Sequence, residues 1–317
     1  MRAARFHAWG QPPVLDEIPE PVRGDGQVLV EVRAGAVAHL DVTIAGGEFG
    51  MRPDLPYVGG VEGAGIVLES DPGSGLEPGC QVMLRGGGLG LLRDGTWTER
   101  VSVPAKAVTR LHHELPPEVA ATFFVPATTA YVALHDVARL AEGEEVIVVG
   151  AAGAVGSMVA QQALAAGAKV IGVVGREDQL AEVPDRVEPV WSQATEELAK
   201  RRSASLIVDT LGGAGLIERT RWARPGGRAV VIGYVTGTEV RIDLPSWLLD
   251  DVALLPVNMI RQERRAREVA GGLVRRLAAG ELSVPVQRFD LAEAALTLGR
   301  LRAGKIRGRA VVTAQAR

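Results

Sequence analysis

The sequence predicts an α/β chain: an antiparallel β unit, then a doubly wound parallel sheet, then a short return to the first unit. Three observations carry this. Up to about residue 115, short strand-like runs such as QVLVEVRAG, GAGIVLES, CQVMLRGG and TERVSVPA stand between glycine and proline turns, the spacing of an antiparallel unit. After LPPEVAAT (residues 115–122) strand and helix patterns alternate. Finally, VIVVGAAGAVGSMVAQQALAAGAKVIGVVGRED (residues 146–178) changes from a buried-strand pattern to a helical one and back. The expected division is residues 1–117, 118–256 and 257–317.

The strands of the parallel sheet are read in order as EEVIVVG, AKVIGVV, RVEPV, SLIVDTLG, RAVVIGY and ALLPVNMI, with helices starting near Gly153, Glu196 and Leu216. From Arg261 one helix is expected through Gly280, then a strand near Val284 to Phe289, the helix LAEAALTLGRL and a last strand, RAVVTA. RGGGLGLLRDGT (residues 85–96) reads as a mobile loop. No repeat of 20 to 50 residues is present.

With 47% hydrophobic and 23% charged residues in 317, the chain can bury a large core. Its net charge of -3 offers no basic field for a nucleic-acid backbone. No run approaches the ~18 apolar residues of a membrane span, and MRAARFHAWGQPPVL lacks the features of a signal peptide, so a cytoplasmic location without membrane association is expected. The single cysteine, Cys80, excludes an internal disulfide and a four-cysteine zinc site.

The turn Ala151, Ala152, Gly153, Ala154, Val155, Gly156 follows a strand and opens a helix. Such turns bring backbone N–H groups and a positive helix end to a pyrophosphate. Ala151 takes the place of the first glycine of GxGxxG, Gly153 permits close approach of the diphosphate, and Gly156 permits tight packing of helix on strand. An NAD enzyme puts Asp or Glu at the end of the second strand to accept from the ribose. This chain has Gly175 and Arg176 there, which favours the 2′-phosphate of NADPH; Glu177 is the alternative, an acidic residue displaced by one. Leu211, Ile232, Gly233, Tyr234 and Asn258 fall at or just after strand ends, the cofactor side of such a sheet.

FHAWGQPPVL, AGAVAHLDVTIAGG, LPYVGGVEGAGIV, PATTAYVAL, the turn above, IVDTLGG, PGGRAVVIG and GRAVV together resemble the medium-chain dehydrogenase/reductase superfamily, especially its zinc-free quinone oxidoreductase and enoyl reductase branch. The resemblance spans nearly the whole chain. It implies a GroES-like β domain around an inserted Rossmann domain, with the active site in the cleft. Where the family's zinc enzymes hold metal ligands, this chain has Ala38, Val61 and, near the third, Val125; Leu40 replaces the hydroxyl relay. No metal is therefore expected, since methyl groups cannot bind Zn²⁺. The implied function is NADPH-dependent reduction of a small quinone or α,β-unsaturated carbonyl. Alternatives are an enoyl reductase of a polyketide or fatty acid pathway, and a non-catalytic NADPH-binding protein.

The resemblance also implies roles for single residues. His39 matches a basic position at the cofactor pyrophosphate, and Thr129 one that packs on the nicotinamide. Thr43 is the hydroxyl nearest the expected hydride site and the candidate catalytic residue. Asp41 and Glu62 match acidic positions that organise structure; Arg307 and Arg309 lie near a basic position by the cofactor phosphates, with a solvated strand edge as the simpler reading. ALLPVNMI resembles the edge strand through which the family pairs two subunits, so a homodimer is expected.

Overall fold

The computed structural model describes residues 1–47 and 49–314. Two compact units emerge, Met1–Phe124 with Val284–Arg317, and Val125–Ser283. The first unit opens with β1 (Arg2–Phe6), β2 (Val14–Glu17), β3 (Gln27–Val37), helix α1 (His39–Ala45), β4 (Tyr57–Val58), β5 (Glu62–Glu69), β6 (Gln81–Arg85), β7 (Arg100–Pro104), β8 (Val108–Arg110) and the short helix α2 (Pro117–Ala120). Helix α3 (Phe124–Tyr131) leads into the second unit.

There β9 (Glu145–Val149), α4 (Ala154–Ala165), β10 (Lys169–Val174), β11 (Glu188–Trp191), α5 (Glu196–Arg201), β12 (Ala204–Asp209), α6 (Leu216–Thr220), β13 (Ala223–Val231), α7 (Leu244–Asp250), β14 (Ala253–Pro256) and α8 (Glu263–Ala278) follow. The chain ends with β15 (Val286–Asp290), α9 (Ala294–Arg302) and β16 (Arg309–Thr313).

In the first unit β15, β16, β3, β5, β6 and β8 lie side by side, and β7 also pairs with β3. Except for the parallel pair β15–β16, these pairings are antiparallel. A smaller sheet orders β2, β1 and β4. The alternation of β3 puts Val28, Val30 and Val32 into one core with Val67, Val82 and Leu84. Phe6, Tyr57 and Trp97 fill the other, their rings 5.0 and 5.9 Å from Phe6. Trp97 is thus a core residue, and its Nε1 donates to Ala36 O at 2.8 Å.

The six strands of the second unit run β11-β10-β9-β12-β13-β14, all parallel. Counted from its own first strand this is 3-2-1-4-5-6, the doubly wound order whose reversal lies between β9 and β12. β9 and β12 are buried on both faces, which explains their unbroken apolar text. α8 buries Ala266, Ala270, Leu273, Val274 and Leu277 along one side.

Four features differ from expectation. The return begins at Val284 rather than at residue 257, because α8 packs into the second unit. The edge strand β14 stops at Pro256, before the expected Ile260. α7 has no counterpart in the sequence reading; Asp243 caps it, its carboxylate accepting from Ser246 N at 3.2 Å. Residues 85–96 also do not stand away as a loose loop. Gly95 N–H donates to Val58 O and Thr96 N–H to Gly60 O, at 2.9 and 3.0 Å. A side chain on Gly95 would strike Gly60 O at 2.2 Å, so its glycine is required by close packing, not by mobility.

Candidate cofactor and active site

The strand ends of the second unit come level: Val149 pairs with Val173 and Asp209, and Asp209 with Val231. The predicted cofactor residues Ala151–Gly156, Gly175, Arg176, Leu211, Ile232, Gly233, Tyr234 and Asn258 therefore share the C-terminal edge of one sheet. Gly153 caps α4 in extended backbone. The first turn of α4 carries no acidic side chain, leaving its N–H groups for an anion.

The glycine that makes the turn is one the sequence reading left out. Gly150 has φ +80, and a Cβ there would meet Thr210 Oγ1 at 2.4 Å. The tight-turn position is thus Gly150; Ala151 is fully buried, without a positive φ. Gly156 packs as expected, its missing Cβ only 2.1 Å from Gly150 O. At Gly153 the same contact is 3.1 Å, so a side chain there would meet little besides an incoming ligand.

Arg176 follows β10 with a half-exposed side chain, its Nε 3.1 Å from Asp178 Oδ1. Gly175 is exposed beside it, as is Glu177. Beyond β12, buried Asp209 accepts from the N–H groups of Leu211 and Gly212, each at 2.8 Å, and pairs with Arg219 Nε at 2.6 Å. Thr236 Oγ1 donates to Gly212 O at 2.9 Å, lacing the loops after β12 and β13 together. Tyr234 is left 73% exposed. Asn258 uses its Oδ1 to accept from Ile260 and Arg261 N–H, both at 3.1 Å, so that oxygen is occupied by its own turn. Thr129 is buried in α3.

In the first unit α1 carries His39 and Thr43. Partial burial and then the Arg309 guanidinium lower the His39 pKa. Both effects favour the neutral imidazole. Thr43 Oγ1 donates back to His39 O at 3.2 Å, which competes with any donation to a substrate.

Asp41 is 3% exposed and accepts from Ala38 N–H at 2.8 Å and Val61 N–H at 3.1 Å, pinning α1 to the start of β5. Burial pushes its pKa up to about 7, against those two donors. Glu62, also buried, pairs with Arg85 at 3.3 Å and Arg309 at 3.2 Å; desolvation nevertheless raises its pKa. Arg309 is therefore held inside, its side chain 12% exposed, and is not a solvated edge residue. Positions 38, 61 and 125 offer no donor atom, and no cluster of three His, Cys, Asp or Glu side chains suited to a metal occurs among the described residues. The residues do not fit a catalytic zinc ion.

Comparison with known proteins agrees with this architecture. Residues 24–113 match the alcohol dehydrogenase GroES-like domain and residues 154–273 the zinc-binding dehydrogenase family. The acryloyl-coenzyme A reductase of Metallosphaera sedula is 32% identical, over 75% of this chain and 79% of its own. The chain belongs to the medium-chain dehydrogenase/reductase superfamily. The human quinone oxidoreductase is another relative in this superfamily, 29% identical over 74% of this chain and 73% of its own. A probable oxidoreductase from Mycobacterium abscessus superposes with a TM-score of 0.83 at 27% identity, covering 99% of each chain. Within the superfamily fold, the first unit is the GroES-like domain and the second the Rossmann domain. No helix among the described residues is long and apolar enough to cross a membrane.

Proposed function

We propose that the chain is a zinc-independent, NADPH-dependent reductase that delivers hydride to a carbon of a quinone or α,β-unsaturated carbonyl. One observation carries this reading: the dinucleotide turn is intact, while Ala38, Val61 and Val125 leave the family's metal positions without a donor. Alcohol oxidation in this superfamily leans on a Lewis acid to stabilise an alkoxide. A conjugated carbonyl needs less, because its developing charge sits on an oxygen that a few hydrogen bonds can hold.

A bound nicotinamide supplies the hydride. The protein's part is placement. The first-turn amides of α4 and Gly153 hold the diphosphate, and Arg176 grips the 2′-phosphate; Leu211 and Ile232–Tyr234 border the same sheet edge. Thr43 and neutral His39 are the polar groups α1 presents, and the Thr43 proton is already shared with His39 O. Orientation rather than a strong general acid then supplies most of the rate.

Reduction of an enoyl thioester is the second reading, favoured by the 32% identity to an acryloyl-coenzyme A reductase. For enones and enoyl thioesters the step is the same, hydride adding to the β-carbon and a solvent proton to the α-carbon; a quinone would leave as the hydroquinone, its protons drawn from solvent. NADPH consumption should therefore be followed with quinones, simple enones and enoyl thioesters, using deuterated cofactor and chelator-treated protein. Label at the β-carbon of the enone or enoyl thioester product, with no loss of rate on any acceptor after chelation, is expected. Tight NADPH binding without transfer to any acceptor would favour a non-catalytic role, and loss of activity with stoichiometric zinc would refute the zinc-free assignment.

A homodimer is proposed with it, paired along β14. The edge position of that strand supports this, as do the nearby exposed Leu248 and Leu249 of α7, 70% and 83% accessible.

A further inference from the structure

We infer that the second unit carries another ligand site, a groove between α8 and the Tyr131 ring that takes a small organic monoanion: one carboxylate on a short apolar or aromatic body. The groove, open to solvent along one side, has a volume of about 560 Å³, within the range of small-molecule pockets, which combine apolar walls with few polar groups. Its floor is bare for no packing reason. Gly271 and Gly272 sit inside a sixteen-residue helix, where glycine is unfavourable compared with alanine. A Cβ on Gly271 would meet nothing within 4 Å, and one on Gly272 only Arg275 Nη2 at 3.8 Å. Neither glycine is demanded by a neighbour; Gly272 lines the groove and keeps it open, while Gly271 lies outside the lining.

The wall is fixed. The His135 ring lies 4.5 Å from that of Tyr131, and the Arg265 guanidinium 5.4 Å from its centre. Asp136 holds Arg265 in turn, at 3.0 Å. His135 and Asp136 belong to a π-helical turn, Val132–Val137, a local distortion often found at functional positions.

The charges around the groove select the ligand. Arg276 is answered by Glu281 at 3.1 Å. Glu268 faces Arg265 at 3.6 Å and Arg264 at 3.7 Å. The Arg275 side chain alone has no ion pair or hydrogen bond among the described residues, and it lies over Gly272. One unmatched guanidinium asks for one negative group, and carboxylate suits its planar fork. Leu273 and the Tyr131 ring then receive the apolar body.

Benzoate is the probe, with benzamide as its neutral counterpart, titrated into the full chain by saturation-transfer NMR with NADPH present. Benzoate should bind saturably in roughly the millimolar range, with benzamide about tenfold weaker or more. Arg275→Gln should weaken benzoate about tenfold, and Gly272→Leu, which fills the groove, should abolish binding; Gly272→Ala should retain it. NADPH affinity and thermal stability should stay unchanged in Arg275→Gln, an exposed position, which separates this site from the cofactor site. No saturable benzoate binding, equal binding of benzamide, or wild-type binding in Arg275→Gln overturns the proposal.

Discussion

Arg176 shows how much a single side chain can decide. On the proposed function it takes the position of a ribose-binding carboxylate that would exclude the 2′-phosphate, and one of its contacts, Asp178, is a half-exposed surface carboxylate that a phosphate can displace. Arg176→Ala should weaken NADPH by roughly 1.5–3 kcal/mol and leave NADH nearly untouched, as read by fluorescence titration. Equal losses for both cofactors would give the ribose to Glu177. Asp41 offers a second residue-scale test. Its folded pKa of about 7 lies above the ordinary 3.8, so the native state holds a proton that the unfolded chain has released. Its stabilising contribution is complete below 3.8 and is lost as pH rises through about 7. Urea denaturation should show the stability advantage of wild type over Asp41→Asn shrinking across that window. A difference independent of pH would mean that Asp41 does not titrate there.

At the scale of the element, the turn from β9 to α4 separates two uses of glycine. Gly156 is required by packing, since a methyl there would sit 2.1 Å from Gly150 O. Gly156→Ala should cost about 1–3 kcal/mol of stability, seen as a lower melting temperature in the apo protein. Gly153 meets that oxygen only at 3.1 Å, so Gly153→Ala should keep nearly the apo stability. With the diphosphate placed as proposed, it should nonetheless weaken NADPH about tenfold or more, because the methyl would stand in its path. The reverse pattern would place the diphosphate elsewhere. Both glycines were legible from spacing alone. Gly150 was not, since it reads equally well as the end of a strand until its φ of +80 is known.

The proposed dimer belongs to the scale of the whole molecule. Beyond β14 the Val257 N–H donates to Val231 O at 3.0 Å within the subunit's own sheet, so the exposed face of α7 is where the interface can be probed without disturbing the fold. The double substitution Leu248→Glu with Leu249→Glu changes only exposed positions. Wild type should scatter light as a dimer at micromolar concentration and the double variant as a monomer with an unchanged melting curve. Equal masses for the two proteins would remove α7 from the interface.

The sequence by itself determined most of the element order, α7 excepted, because strand and helix periods, glycine turns and apolar runs are local signals. The β9–α4–β10 text also pointed to the parallel sheet, and it put the expected cofactor residues at the strand ends. Only the tertiary structure decided which distant residues meet. Arg309 and Glu62 pair across 247 positions, and nothing near either residue announces the other. It also decided that residues 85–96 pack closely, that α8 belongs to the second unit, and that α7 exists despite its short, proline-containing text. Those outcomes depend on side chains buried against partners far along the chain, and a local pattern cannot encode the surface that will cover it.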